Sequence, residues 1–300
     1  MPLSAAATNH YAILGPTASG KSRLAVAVAQ RVEGVVVNGD PFQAFAGIPI
    51  GTGQPQAEEQ GGRPHLGYGV MPLTATLNPQ DFRERAEAWL NEQANPVLVT
   101  GSGLYLRGIW GQLDELPPVP ESLVERVRGW GAELAAPVLH RYLTAVDPLR
   151  GAQLHPNDRS RIQRALALHL ATGMRPTALL QGVKRGVPVG WKALLVLPDR
   201  EGLRARVTRR VQAMIRAGWE QEVRSIQTAG HAEDLRRLRP LGYEDWLNGG
   251  DPKRIEAAII QSTQAYAKRQ TTFFRNQWPE IPTWDPDGES VEVALQRLGV

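Results

Sequence analysis

The stretch Gly15-Pro16-Thr17-Ala18-Ser19-Gly20-Lys21-Ser22 (GPTASGKS) lies between the apolar run Tyr11–Leu14 and Arg23–Gln30 (RLAVAVAQ), a run of helical composition. Its form is GxxxxGK[ST] in a strand–loop–helix setting, the context in which this pattern wraps phosphate. Gly15 and Gly20 allow the backbone to curl so that its N–H groups converge on an anion at a helix N-terminus. Lys21 then reaches a terminal phosphate, and the Ser22 hydroxyl is placed to ligate Mg²⁺. Such a loop reads phosphate and not nucleoside, so by itself it names no ligand.

Working outward, Gly34–Asn38 (GVVVN) and Pro96–Thr100 (PVLVT) read as two further buried strands, ending at Gly39-Asp40 and Gly101-Ser102-Gly103. Asn78-Pro79 leads into a helical stretch, Asp81–Gln93. Strands alternating with helices imply a parallel α/β sheet with right-handed crossovers. Ligands of such sheets bind off the carboxyl ends of the strands, so the phosphate loop, Asp40 and Ser102 are expected to converge on one crevice. After Leu116-Pro117-Pro118-Val119-Pro120 the chain is helical in character to about Gln181. Lys192–Leu197 (KALLVL) reads as a strand returning to the sheet, followed by helices to about Trp278. The expected architecture is an α/β P-loop NTPase-like core, a parallel sheet flanked by helices, built from residues 1–113 and 190–300. A mostly helical insertion occupies 114–189, and the tail after Pro279 is expected to be peripheral.

Composition narrows the function classes. The 300 residues are 42% hydrophobic and 21% charged, ordinary for a globular chain. No run reaches the roughly 18 apolar residues of a membrane span. MPLSAAATNH lacks the basic region and apolar core of a signal peptide. With no cysteine there are no disulfides and no thiolate chemistry, which fits the cytoplasm. The net charge of +4 is uneven: residues 1–100 carry −2 and residues 101–300 carry +6. Of the 34 basic residues 29 are Arg, a residue suited to bidentate phosphate contacts and equally to a GC-rich genome. Nucleic acid is therefore permitted and not required. Nothing in the sequence calls for an obligate protein partner.

Several stretches could carry chemistry. Asp40, in NGDPFQAF, reads as a metal ligand, as a general base beside the phosphate site, or as a turn-forming Asp before Pro41. Ser102, in TGSGLYLRG, is a glycine-flanked hydroxyl at a strand end, or a simple strand–helix turn. HPNDRSRIQRAL (His155–Leu166) opens a helix with Arg159, Arg161 and Arg164. Arg161 and Arg164 share a face that suits an RNA backbone, a phosphate lid or plain solvation. Arg200–Val223 reads as one amphipathic helix packing Leu203, Val207, Val211, Met214 and Ile215 inward. Arg206 and Arg210 form a stripe on it from which one arginine could clamp phosphate. Tyr266–Arg275 (YAKRQTTFFR) mixes cations with aromatics, as RNA stacking surfaces do, although Phe273, Phe274 and Trp278 equally suit a core. The six histidines show no metal-ligand spacing.

Taken in order, these segments resemble the tRNA dimethylallyltransferase (tRNA isopentenyltransferase) family of bacteria, from about Ile13 to Trp278. GPTASGKS matches the family's opening unchanged. DPFQAFAGIPIGT keeps Asp40, Gln43, Gly47, Ile50, Gly51 and Thr52 of a second motif. TGSGLY, HPNDRSRIQRAL, Arg206–Val223, Leu241-Gly242-Tyr243 and KRQTTFFR match the rest. The chain departs at Pro41, Ala46, Pro49 and Thr100, where the family usually has Ser, a basic residue, Asp and Gly.

The resemblance implies transfer of a dimethylallyl group from dimethylallyl diphosphate to the exocyclic N6 of the adenine on the 3′ side of the anticodon, in tRNAs reading codons that begin with U. By resemblance Asp40 is the general base, and Ser102 also holds the amine. The diphosphate is held by Gly15, Pro16, Thr17, Ala18, Ser19, Gly20, Lys21, Ser22 and Arg210, with Mg²⁺ at Ser22. The tRNA is contacted by Asp40, Pro41, Phe42, Gln43 and Ser102, by Ser160, Arg161, Ile162, Gln163 and Arg164, and by Gly242, Tyr243, Lys268, Arg269 and Gln270. The insertion would bind tRNA. Two other readings remain. A P-loop kinase of a small metabolite would use the insertion as a lid and Asp40 as its base. An ATP-driven nucleic-acid motor would need a second apolar strand ending in an Asp–Glu pair, which neither GVVVNGD nor PVLVT offers.

Overall fold

The computed structural model describes residues 9–180, 182 and 186–300. The MPLSAAAT portion of the expected leader-free terminus, and residues 181 and 183–185 near the end of the expected insertion, lie outside the described residues.

Among the described residues, six parallel strands form one sheet: β1 (His10–Leu14), β2 (Val35–Asn38), β3 (His65–Leu66), β4 (Pro96–Thr100), β5 (Trp191–Val196) and β6 (Thr283–Trp284), in spatial order β3-β2-β4-β1-β5-β6. The four longer strands are those the sequence predicts, shifted by at most one residue at either end. Both faces of a parallel sheet are covered, so its strands are apolar throughout, and alternate residues feed opposite layers. Tyr11, Ile13, Val36, Val97 and Val99 pack on one side, against Leu24 and Val28 of the helix Lys21–Arg31. Ala12, Leu14, Val35, Val37 and Leu98 pack on the other, in the layer that holds Phe82 of the helix Pro79–Asn91, Val207 of Arg200–Arg216 and Phe274 of Pro252–Gln277.

Three expectations change. The tail is structural: Thr283–Trp284 extends the sheet beside β5, and Trp284 packs in one cluster with Ala294 and Leu298 of the helix Val291–Leu298. β3 and β6 have two residues each, too short to show any period in the sequence. The single helix expected over Arg200–Val223 is two, Arg200–Arg216 and Trp219–Thr228, because Gly218 adopts φ 101°, a left-handed conformation that breaks the helix and caps the start of the second.

By internal contacts the chain divides into Met1–Gly111 with Arg185–Val300, and Gln112–Lys184. The second unit is helical among its described residues, with a core of Val127, Leu139, Leu143, Leu154, Ile162 and Leu166. Within it Asp147, 1% exposed, caps the helix Pro148–Gln153 and also accepts from the Thr177 N–H and hydroxyl at 2.7 and 2.8 Å. Burial would raise its pKa, yet these hydrogen bonds outweigh burial and hold it low.

Candidate active site

The phosphate loop leaves β1 with the Gly15 N–H donating to Thr100 O at 3.3 Å. It enters the helix through Gly20 at φ 95°, and Ala18 also sits at φ 61°. A Cβ on Gly15 would meet Val196 O at 2.6 Å, so only glycine fits there. The Lys21 ammonium donates to Pro16 O at 3.2 Å, across the hollow of the loop. Ser19 is fully buried with its hydroxyl unpartnered.

Asp40 follows β2. Asn38, 0% exposed at the strand end, shapes the turn: its Oδ1 accepts from the Asp40 N–H at 2.8 Å, and its Nδ2 donates to Asp40 O and Gly67 O. The Asp40 carboxylate in turn accepts from the Phe42 N–H at 3.0 Å. The turn-forming and crevice-facing readings of this residue are therefore both realised. Ser102 follows β4, with its N–H held by Thr100 Oγ1 at 2.9 Å.

Two cavities meet at Asp40. One, of about 210 Å³, is lined by Thr17, Lys21, Ser22, Arg210 and Trp219. The other, of about 310 Å³, is lined by Ser102, Phe45, Tyr105, Arg237 and Leu238. Asp40, Phe42 and Tyr266 belong to both. A third, of about 810 Å³, adjoins the first through Ser22, Arg210 and Met214.

Charges in this crevice are poorly hydrated. Burial pushes the Lys21 ammonium down to about 8, Arg210 adds to that shift, and Asp40 opposes it. Burial raises the Asp40 carboxyl above its ordinary range, against the pull of Lys21, the Phe42 N–H and Arg210. Arg210 is itself lowered by burial, with Glu59 and Asp40 opposing. The cavity of the phosphate loop is lined by Lys21, Arg210 and Arg239 and by one carboxylate, Asp40, so it carries excess positive charge suited to an anion, while Glu59 acts on Arg210 from the adjoining large cavity. The two arginines of the stripe separate cleanly: Arg206 is paired with Asp287 at 2.5 Å, whereas Arg210 makes no hydrogen bond or ion pair among the described residues.

The remaining sequence candidates fall into two groups. Ser160, Arg161 and Arg164 are exposed on the helix Arg159–Thr172, in the second unit, and Lys268 and Arg269 are exposed on Pro252–Gln277. Pro41, Phe42 and Gln43 lie beside Asp40, with Gln43 Nε2 donating to Thr52 O and Gly53 O at 3.0 Å. The others point inward. Ile162 is a core residue, and Gln163 donates to Val127 O at 3.4 Å. Tyr243 is 0% exposed and spends its hydroxyl on Glu222 and Ile48 O, while Gly242 packs on the Trp219 ring. Gln270, 6% exposed, accepts from the Thr17 N–H and donates to Gly101 O. Phe274 and Trp278 are core at 1% exposure each.

Sequence reasoning missed the aromatic wall formed by Tyr105 and Tyr266, although both lie inside quoted motifs. It also missed Arg237, which lines the 310 Å³ cavity and donates to Leu73 O and Ala75 O. Glu222 was missed as well. It accepts from the Ile50 and Gly51 N–H groups at 2.7 and 3.1 Å and from Tyr243 Oη at 2.6 Å. Locally Arg237 shows only an i,i+3 pair with Asp234, and the carbonyls that hold it beside the cavity lie 162 and 164 residues away. No helix among the described residues is long and apolar enough to cross a membrane, and none of their His, Asp and Glu side chains cluster as a metal site.

Comparison with known proteins places this geometry. The IPP transferase profile matches residues 43–277, and the isopentenyl transferase profile matches residues 8–65. The tRNA dimethylallyltransferase of Geobacter metallireducens is 38% identical over 288 residues, covering 90% of this chain and 92% of that one. That of Sinorhizobium medicae is 37% identical over 284 residues, covering 91% and 92%. The crystal structure of the full-length tRNA isopentenylpyrophosphate transferase from Bacillus halodurans superposes with a TM-score of 0.67 at 26% identity, covering 97% of each chain. A eukaryotic dimethylallyltransferase acting on tRNA shares the fold, with a TM-score of 0.74 at 21% identity, over 96% of this chain and 78% of that one. The core is thus of the P-loop NTPase-like α/β type, and the chain belongs to the IPP transferase family.

Proposed function

We propose that this enzyme transfers the dimethylallyl group of dimethylallyl diphosphate to N6 of an adenine in tRNA, at the position 3′ to the anticodon in tRNAs reading codons that begin with U. The relatives' names support tRNA as the substrate class. The observation that carries the chemistry is that Asp40 is a wall common to the cavity of the phosphate loop and the cavity of Ser102 and the aromatic rings. A small-metabolite kinase has less support, because the IPP transferase profile spans residues 43–277, including the second unit.

In this reading the diphosphate lies in the loop at the start of the helix Lys21–Arg31, whose first N–H groups have no intrahelical partner, beside the Lys21 ammonium and Arg210, and the flat base enters between Phe42, Tyr105 and Tyr266. The N6 lone pair is delocalised into the purine ring and attacks weakly. Asp40 accepts the N6 proton as the new N–C bond forms and the allylic C–O bond to diphosphate breaks. Ser102 holds the amine in line. Lys21 and Arg210 take up the negative charge that develops on the leaving oxygen, in a crevice where poor hydration strengthens their effect. The adenine must leave its stack in the anticodon loop to reach Asp40. Ser160, Arg161, Arg164, Lys268 and Arg269 are exposed cations and a hydroxyl suited to the RNA backbone, and the helical unit as a whole is assigned to tRNA binding.

The residues also fit a magnesium ion. Ser22 lines two of the cavities beside Lys21 and Arg210, and the sparse protein donor set suits an ion that takes most of its ligands from phosphate and water. Bound there, Mg²⁺ would add charge neutralisation for the departing diphosphate.

Incubation with dimethylallyl diphosphate, Mg²⁺ and unmodified tRNA should leave a prenyl group on adenine N6. Asp40→Ala should lower kcat by about 10²–10⁴-fold, the usual contribution of a positioned base. Pyrophosphate binding should change far less. A variant that turns over normally would remove Asp40 from the base role.

A further inference from the structure

Gln270 lies in a basic, aromatic segment that sequence reading assigns to RNA, between exposed Arg269 and half-buried Thr271. Its side chain does something else. On a helix of 26 residues it is the inward-facing neighbour of two outward-facing cations, and it is 6% exposed. Its carbonyl oxygen accepts from the Thr17 N–H at 2.9 Å, and its amide nitrogen donates to Gly101 O at 2.8 Å. Thr17 is in the phosphate loop, and Gly101 is the first residue after β4. One amide therefore bridges the loop to a rigid strand end, and both bonds span more than 160 residues of sequence.

The packing around this bridge leaves no slack. A Cβ on Gly101 would lie 2.7 Å from Gln270 Nε2, 3.0 Å from Gly15 O and 3.5 Å from Lys21 Nζ. Loop, strand end and helix are thus in contact at one point. Without the bridge, the Thr17 N–H and the Gly101 carbonyl lose their partners, and the loop is free to leave the curled form in which its amides converge. A binding site that is folded correctly only part of the time binds weaker by that fraction.

We propose that Gln270 is a positioning residue for the diphosphate site, a latch that holds the phosphate loop in its anion-receiving shape, and not a contact to RNA. This rests on the reading of the loop as the diphosphate cradle. It adds a member to the site from a helix that packs at its flank, and it explains why a glutamine, with one donor and one acceptor on the same group, stands here. Glutamate would set a carboxylate oxygen against Gly101 O and place a negative charge beside the phosphates. Asparagine would fall one methylene short of bridging both partners.

The test is calorimetric titration with inorganic pyrophosphate and Mg²⁺, alongside steady-state KM for tRNA. Wild type must bind pyrophosphate; if it does not, the cradle reading fails first. Gln270→Met keeps the side-chain volume and removes both hydrogen bonds, so its fold is checked by circular dichroism and melting before titration. The expected result is a Kd for pyrophosphate weaker by about tenfold, equivalent to about 1.4 kcal/mol. Gln270→Glu is expected to bind weaker still, with KM for tRNA within about twofold of wild type in the Met variant. Wild-type pyrophosphate affinity in a folded Gln270→Met enzyme, together with a raised KM for tRNA, would overturn the proposal and return the residue to the RNA face.

Discussion

At the residue scale, the candidate active site turns on three poorly hydrated charges, Lys21, Arg210 and Asp40, with Glu59 also acting on Arg210. Lys21 and Arg210 oppose each other and share Asp40, so each depends on the protonation of the others. A base works unprotonated, so activity should fall as pH drops through the Asp40 pKa, which lies above the usual carboxylate range. A phosphate-binding ammonium works protonated, so activity should also fall as pH rises through the Lys21 pKa of about 8. The free enzyme's kcat/KM for dimethylallyl diphosphate should therefore trace a bell, with its alkaline limb near 8. In Lys21→Arg that limb should move beyond the measurable range, and an unmoved limb would show that another group sets it. Asp40 was legible in the sequence because a parallel strand must deliver its next residues to the crevice. The choice of Arg210 over Arg206 came from the resemblance and not from the stripe itself, because the residue that occupies Arg206, Asp287, lies 81 residues away.

At the scale of elements, what the sequence revealed was whatever repeats. Four strands of apolar character and the helices between them were readable. The two-residue strands and the break at Gly218 were not, since a glycine at φ 101° looks the same on paper as one in a helix. The least legible element is the four-residue helix Pro49–Thr52. A helix this short cannot stand alone, and its first N–H groups have no intrahelical partner. Glu222, from the helix that Gly218 starts, supplies the missing cap to Ile50 and Gly51. Because Pro49, Ile50 and Gly53 line the large cavity and Gly51 and Thr52 the smaller one, this cap shapes the crevice wall. Glu222→Ala should destabilise the protein by about 3 kcal/mol, since it strands two amides and the Tyr243 hydroxyl. Glu222→Gln keeps the acceptor oxygen for Gly51 and Tyr243 and loses only the one facing the Ile50 N–H, so it should cost less than the Ala variant. Urea unfolding of the two variants measures both, and equal losses would contradict the capping role.

At the scale of the whole molecule, the sheet order was only partly foreseeable. β1 lies between β4 and β5, so the strand carrying the phosphate loop is central, and its neighbours bring Ser102 and close packing against Gly15. The tail belongs to this arrangement. Trp284, 5% exposed with its indole donating to Ser290 O at 3.0 Å, closes one layer of the core. Trp284→Ala should cost about 3–5 kcal/mol by chemical denaturation. A loss below about 0.5 kcal/mol, the level of an ordinary surface change, would mean that the tail is peripheral.

The common wall at Asp40 carries a last implication, for redesign. If the two cavities take donor and acceptor as proposed, they cannot be tuned independently through any residue that borders both, so a mutation at Phe42 or Tyr266 aimed at a new nucleobase would disturb the isoprenoid as well. Phe45, Thr76 and Leu77 border the acceptor compartment and not the phosphate one. A library confined to those three positions could broaden acceptor choice while leaving the leaving-group machinery intact.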